Sequence, residues 1–439
     1  MDILKILDKL NIESLNDMQN EASHAILDSN NDVVILSPTG SGKTLAYLLP
    51  LIQLIDKDND CVQAVVIVPG RELALQSSKI LENMSCGIRG MSLYGGRPTM
   101  DEHKVIKQVK PQIVFCTPGR LNDHIGKGNI NVEDIKWFII DEFDKCLEMG
   151  FHLQMKQLSE SIPNINRHIL LSATDSNIIP QYVKLGRTIH INYNSPDVQV
   201  PERIKIFQVQ SPEKDKLQTL SRLLCCFKSQ SSIVFLNYRE SVERIDEYLR
   251  GYGFITSPYH GGMDQKKRED CLYKFMNGSS NVLICTDLAS RGLDIKDVNN
   301  IIHYHLPANE DTYIHRVGRT ARWEATGNSY FLIGPDEVFP EYIETKPIIF
   351  QIPEELPKPS LPKMATIYIG KGKANKLSKS DVVGFLCKKT GLNKDDIGNI
   401  DVKERYIYAA IKLSKLKQVL MLSKGEKIKG VKTIIEAVE

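Results

Sequence analysis

Two hydrophobic patterns alternate along most of the chain. Short apolar runs at Asp32–Leu36 (DVVIL), Ala64–Val68 (AVVIV), Gln112–Cys116 (QIVFC), Trp137–Asp141 (WFIID) and His168–Ser172 (HILLS) are separated by stretches with helical spacing, such as RELALQSSKILENM after Gly70. A strand that is apolar at every position is covered on both faces, so these runs predict a parallel sheet between layers of helices. The alternation pauses at a polar segment with two prolines starting at Asn194. It resumes with Lys205–Val209, Ser232–Leu236, Asn281–Cys285 and Asn300–Tyr304. Residues 1–195 and 203–350 therefore read as two α/β domains in tandem. Four prolines from Pro353 to Pro362 predict an extended spacer over 351–363. From Met364 to Glu439 the order is strand, helix, strand, strand, helix, strand, the βαββαβ order of an RNA-recognition fold.

Charge sharpens this division. The whole chain carries 56 Lys/Arg against 54 Asp/Glu. Residues 364–439 hold 16 and 8 of these, a net of +8, while the rest of the chain has 40 and 46. A small basic module on a mildly acidic body implies an anionic partner for the tail, nucleic acid first. No apolar run approaches the roughly 18 residues of a membrane span. The N-terminus, MDILKILDKLNIESLNDMQ, mixes both charges without the apolar core of a signal peptide. Nine cysteines without a CxxC pair suit a reducing cytoplasm and predict no zinc site.

Three stretches carry chemistry. The run DVVIL leads into SPTGSGKT (Ser37–Thr44) and then an apolar helix. Thr39, Gly40, Ser41 and Gly42 would turn backbone N–H groups toward phosphate oxygens, with Lys43 on the β/γ-phosphates and Thr44 on Mg²⁺. Ser37 stands where the strict pattern has glycine, and a plain glycine-rich turn is the alternative. The run WFIID ends in Asp141, Glu142, Phe143 and Asp144. Acids at the carboxyl end of a buried parallel strand lie where such sheets bind ligands. Asp141 would hold Mg²⁺ through its water shell and Glu142 would take a proton from an attacking water; an acidic helix start is the alternative. In HRVGRTAR (His315–Arg322), Arg319 and Arg322 are three apart and share a face if helical. They form either a solvated pair or an arginine finger opposite a triphosphate.

Taken in order, these motifs resemble the DEAD-box RNA helicases over nearly all of residues 1–350. The resemblance implies two RecA-like parallel-sheet domains that close on ATP and RNA, and RNA-stimulated ATP hydrolysis with Mg²⁺. It implies that Gln19 reads adenine and that Asp294 lies near the ribose. RNA backbone contacts would come from Arg71 in PGRELA, Gly95, Gly96, and Thr117 and Arg120 in TPGR. In the second domain they would come from Gly261 and Gln265 in YHGGMDQ and from Thr286 in TDLASRGLD. Asp144, Ser172, Thr174 and His315 would couple hydrolysis to RNA work. The chain departs from the family at Phe143, Gly70 and Ala321, where Ala, Thr and Gly are usual, and in lacking the Pro-rich lead-in and the upstream aromatic that accompany the glutamine.

The tail, from IYIGKGKANKLSKSDVVGFL onward, is similar to the C-terminal RNA-binding domain of DbpA-type helicases. That resemblance implies an RRM-like module tethered to a hairpin of large-subunit ribosomal RNA, hence a role in ribosome assembly. Lys371, Lys373 and Lys376 in a Gly-rich loop are candidate phosphate contacts. Tyr406 and Tyr408 share a strand face and would either stack on bases or fill a core. A cytoplasmic monomer is expected. An ATP-gated RNA clamp, or a helicase acting on another RNA or on DNA, are the alternative readings.

Overall fold

A computed structural model describes residues 2–438 except 39, 97–98, 174–178, 180–182, 195–203, 288–294, 296–297 and 321–326, and except the side chains of 99, 101 and 311. The chain divides into two compact units, one up to residue 201 and the other from residue 202 on.

The first unit is built on seven strands: β1 (Asp32–Leu36), β2 (Ala64–Ile67), β3 (Gly90–Leu93), β4 (Ile113–Cys116), β5 (Trp137–Ile140), β6 (Arg167–Ser172) and β7 (Thr188–Asn192). They lie in the order β3-β4-β2-β5-β6-β1-β7, and every pairing is parallel. Alternate residues feed two cores. Val33 and Ile35 join one face with the helix Lys43–Leu54, while Val34 and Leu36 join the other with Phe138, Ile140 and Phe143. The strands read from the sequence are all interior. β3 and β7 escape the pattern because they are sheet edges with half-exposed positions and no continuous apolar run.

The second unit repeats the plan with β8 (Ile204–Gln210), β9 (Ser232–Leu236), β10 (Thr256–Tyr259), β11 (Val282–Thr286), β12 (Asn300–His303), β13 (Gly327–Ile333) and β14 (Ile348–Ile349), ordered β10-β11-β9-β12-β13-β8-β14, again parallel. These are two RecA-like α/β domains.

The tail has β15 (Met364–Ile369), β16 (Ile397–Val402), β17 (Ile407–Lys412), β18 (Lys427–Ile428), β19 (Val431–Lys432) and β20 (Ile435–Ala437). Four form an antiparallel sheet in the order β16-β17-β15-β20, and β18 and β19 form a small hairpin. The helices Lys379–Thr390 and Leu416–Leu422 cover one face through Val382, Phe385, Leu386 and Val419, packed on Ile367, Ile369, Ile407 and Ile411. This is the βαββαβ fold, with the last strand of that order split into β19 and β20.

Two expectations are corrected within this second unit. The proline-rich stretch is extended but not a free spacer. Phe350, Ile352 and Leu356 pack on the core of the second RecA-like domain, and Arg222 donates to the Pro353 carbonyl at 2.9 Å. Apolar side chains just before and after Pro353 hold it down as a strap. Tyr408 is not an accessible base-stacking residue. It is 1 % exposed, stacks on Tyr273 of the helix Gln265–Met276 with ring centroids 4.9 Å apart, and donates its hydroxyl to Asp270. The sheet face opposite the tail's own helices is thus covered by the second RecA-like domain, which makes Tyr408 a core residue.

Candidate functional site

The carboxyl ends of β5, β6 and β1 are neighbours in the first sheet, and each delivers a motif there. Leaving β1, the phosphate-type loop needs positive φ at Gly40 (+88°) and Gly42 (+86°), a conformation that side chains with a Cβ rarely adopt. Gly42 then starts the helix Lys43–Leu54, whose N-terminus points its free N–H groups at the loop. The Lys43 ammonium donates to the Ser37 carbonyl at 2.5 Å and the Pro38 carbonyl at 3.0 Å. Phosphate oxygens are stronger acceptors for the same ammonium. Thr44 follows on the first turn of the helix. Thr39 lies outside the described residues.

Gln19 sits beside this loop, placed by a capping box. The Asn16 side chain accepts from the Gln19 N–H at 2.9 Å, and the Gln19 side-chain oxygen Oε1 accepts from the Asn16 N–H at 3.0 Å. The Gln19 amide nitrogen donates to the Gly42 carbonyl at 3.2 Å, and the Asn16 amide donates to Ser41 O at 3.0 Å. A primary amide has two hydrogens and two lone pairs, so these bonds leave capacity for a base edge. Asn16 escaped the sequence reading, although its spacing of three from Gln19 is the capping pattern.

At the end of β5 the chain turns within one residue. Glu142 adopts left-handed φ 51°, ψ 53° before the helix Phe143–Glu148, a conformation that costs a side-chain-bearing residue about 1–2 kcal/mol. Strain of this kind collects at functional positions. Asp141 is 3 % exposed and accepts from the Glu142 N–H at 3.0 Å. Burial, with the neighbouring Glu142 carboxylate, pushes the Asp141 carboxyl up to about 7, while Lys43 pulls it down. A buried carboxylate and a half-buried one beside a phosphate-type loop suit a hard divalent cation, which would hold Asp141 ionised. The oxygen donors of Thr44 and Asp141 fit Mg²⁺. Asp144 is buried with Lys145, whose ammonium lies 3.5 Å away. Ser172 ends β6, where its carbonyl accepts from the Ser37 N–H at 3.0 Å. Phe143 is 2 % exposed and belongs to the core, so the family departure there is a packing change.

Among the expected RNA contacts of the first domain, Arg71 and Gly96 are brought together. Gly96 has φ +97°, and a Cβ there would stand 2.8 Å from an Arg71 nitrogen. Gly95 precedes it in the same turn, and Thr117 is the N-cap of Pro118–Gly126. Arg120 differs from expectation. Its guanidinium is 9 % exposed, 2.7 Å from Glu102 and 3.3 Å from Asp123, so it braces the loop from inside. Glu102 is itself buried and also pairs with His124 at 2.9 Å.

In the second domain, His315 lies on the helix Glu310–Val317, and Arg319 follows it, 4 % exposed. Arg322, Asp294 and, in the first domain, Thr174 lie outside the described residues. Sequence reasoning missed Arg316. Its guanidinium, 1 % exposed, bonds both oxygens of Asp287 at 2.6 and 2.7 Å, the His305 carbonyl at 2.7 Å and Asn237 at 3.2 Å. It ties the arginine-bearing segment to the end of β11, where Thr286 lies buried. Gly261 is exposed, and Gln265 begins the helix Gln265–Met276.

On the tail, Lys373 and Lys376 are exposed and Lys371 is half-buried. Their loop rests on the β16–β17 turn, with the Lys373 N–H donating to Lys403 O at 3.0 Å and Ala374 N–H to Glu404 O at 2.9 Å. Gly372 allows this approach, since a Cβ would meet the Lys403 carbonyl at 2.2 Å and the Tyr406 nitrogen at 2.6 Å. Both are backbone atoms that cannot rotate away. Gly372→Ala is therefore expected to destabilise the tail by about 1–3 kcal/mol. Faster amide hydrogen exchange across β16 and β17, with the first unit unchanged, would show it; unchanged exchange would refute the close-approach argument.

Comparison with known proteins agrees with this geometry. The chain matches the models of the DEAD/DEAH box helicase over residues 16–179, of the helicase conserved C-terminal domain over 215–324 and of the DbpA RNA binding domain over 366–437. It is 31 % identical to the ATP-dependent RNA helicase DbpA of Escherichia coli, covering 97 % of this chain and 94 % of that protein. With the Bacillus subtilis DbpA it is 30 % identical, covering 98 % and 96 %. Among solved structures, Saccharomyces cerevisiae Dbp5 bound to RNA and ADP BeF3 superposes with a TM-score of 0.69 at 26 % identity over 76 % of this chain and 87 % of that one. Mss116p bound to ssRNA and AMP-PNP gives 0.68 at 26 % identity over 76 % and 73 %.

Proposed function

The chain belongs to the DbpA type of DEAD-box ATP-dependent RNA helicases, and from that premise we propose that it remodels large-subunit ribosomal RNA during ribosome assembly. It is an RNA-stimulated ATPase and RNA helicase; the target is the part proposed. The observation that carries the target is the DbpA-type module over 366–437, joined to the second RecA-like domain as one unit and presenting exposed Lys373 and Lys376. The core contacts expected by resemblance address backbone, which positions a strand without reading it, so preference must come from the tail. A monomer working in the cytoplasm fits this reading. None of the nine cysteines is in a disulfide, and no helix among the described residues is long and apolar enough to cross a membrane.

In the proposed reaction the triphosphate lies along the loop from Ser37 to Thr44, and Lys43 exchanges the Ser37 and Pro38 carbonyls for phosphate oxygens. Mg²⁺, held by Thr44 and through water by Asp141, would neutralise phosphate charge. Glu142 takes the proton of the water that attacks the γ-phosphorus, and ADP leaves as the bond to the β-phosphate oxygen breaks. Arg319 and Arg322 stabilise the charge on the transferred phosphoryl group, and Asp294 contacts the ribose. Asp144, Ser172, Thr174 and His315 connect this chemistry to the RNA contacts.

The target is tested with Lys371→Ala/Lys373→Ala/Lys376→Ala, which keeps the tail docked. RNA concentrations for half-maximal ATPase are compared on a large-subunit ribosomal fragment and a scrambled RNA. The variant is expected to lose most of its preference and to lower the log–log salt slope of binding by about 0.7–0.9 for each lost phosphate contact. An unchanged preference ratio would remove these lysines from the reading, and a wild type with no preference would remove the ribosomal target.

A further inference from the structure

The helix Gln265–Met276 has two duties in the second unit. Its first residue, Gln265, is an expected RNA-backbone contact, and its outer face is the seat of the tail. The seat is polar as well as aromatic. Tyr273 donates to the Asn399 carbonyl at 2.7 Å, Asn277 donates to Thr366 at 2.9 Å, and the Lys266 ammonium stands 4.6 Å from the Tyr368 ring. Two tail tyrosines donate to adjacent carboxylates on this helix, Tyr406 to Glu269 and Tyr408 to Asp270. They differ in what the carboxylate does next. Glu269 is four residues from Gln265, on the same helical line, and its other oxygen accepts from the Gln265 amide at 3.0 Å. Asp270 is five residues on, off that line.

We propose that Glu269 is a positioning residue through which the docked tail orients Gln265: Tyr406 of the tail holds one carboxylate oxygen, and the other holds the Gln265 amide in place for the RNA backbone. This rests on the reading of Gln265 as an RNA contact. A glutamine at the exposed start of a helix has several rotamers, and ordering it at the moment of RNA binding opposes binding. The Tyr406–Glu269–Gln265 chain orders it beforehand. The tail therefore raises the core's affinity for RNA that the tail itself does not touch, in addition to any preference it brings by its own contacts.

The experiment uses the full chain and a short unstructured RNA of scrambled sequence, so that selection by the tail is not read. ATPase is titrated with RNA to separate the half-activating concentration from the rate at saturation. Tyr406→Phe keeps the ring, 5.5 Å from that of Tyr368, and removes only the donor. It should raise the half-activating concentration about 2–10-fold, the range for one lost hydrogen bond, with the saturated rate unchanged. Tyr408→Phe removes the equivalent bond to Asp270 and should leave both parameters unchanged. Gln265→Ala should raise the half-activating concentration, and adding Tyr406→Phe to it should have no further effect. Equal shifts from Tyr406→Phe and Tyr408→Phe would overturn the relay in favour of a loosened dock. A shift from Gln265→Ala with none from Tyr406→Phe would overturn the relay alone. No shift from Gln265→Ala would overturn the reading of Gln265 and the relay with it.

Discussion

Glu142→Gln should lower the rate of RNA-stimulated ATP hydrolysis by about 10²–10⁴-fold, the range for loss of a general base, while ATP and RNA still bind. The reason lies in the turn at the end of β5. The left-handed backbone at Glu142 sets the carboxylate next to buried Asp141 at the mouth of the phosphate-type loop. Glutamine keeps the volume and tolerates that backbone about as well, but its amide cannot accept the proton of the attacking water. Lys43→Ala is the contrasting change. It deletes a cation aimed at the phosphates, so nucleotide affinity falls first. Single-turnover hydrolysis, paired with direct measurement of nucleotide binding, separates the two. Hydrolysis near the wild-type rate in Glu142→Gln would show that another group takes the proton.

Arg316→Ala should destabilise the second unit by about 3 kcal/mol, because it removes a buried guanidinium whose ion-pair partner, Asp287, is only a quarter exposed. The loss is wider than one pair. The Asp287 carboxylate, the His305 carbonyl and the Asn237 side chain all accept from this guanidinium, which also stands 5.2 Å from the Phe235 ring. Adding Asp287→Asn removes the stranded charge and should restore part of the loss. With two compact units in the chain, a single unfolding midpoint would mix them. Amide hydrogen exchange is the sharper reading: β11 and β12 should open more readily while β1 and β6 do not. Uniform exchange in variant and parent would sink the claim.

What could be read from the sequence, and what could not, divides by the range of the interaction. Interior strands such as β1 and β9 were legible because burial on both faces leaves every position apolar. The edges β3 and β7 were not, since a half-exposed strand of four or five residues resembles a loop, and the buried edge β10 was not because its sequence, TSPY, has no apolar run. The phosphate-type loop and the Asp141–Glu142 turn were legible because their chemistry is local, carried by neighbours on one strand end. The surroundings of Arg120 and Tyr408 were not legible, for the opposite reason. The guanidinium of Arg120 is committed to Glu102, and the hydroxyl of Tyr408 to Asp270, partners that only the folded chain brings near. The same holds for the strap, where prolines spoke for an extended path but not for the surface beneath it.

That strap and the seat of the tail bear on how the molecule can be taken apart. A chain stopped before Met364 would carry a newly wetted surface containing Tyr273, Phe254 and Ile255, together with a strap that has lost the module at its end. Fresh apolar area on a protein surface favours self-association as concentration rises. The poor yield or dull activity of such a shortened chain would then measure colloidal behaviour, and a weak response to RNA would say nothing about what the missing module recognises. Altering side chains on an intact chain keeps the surface dry.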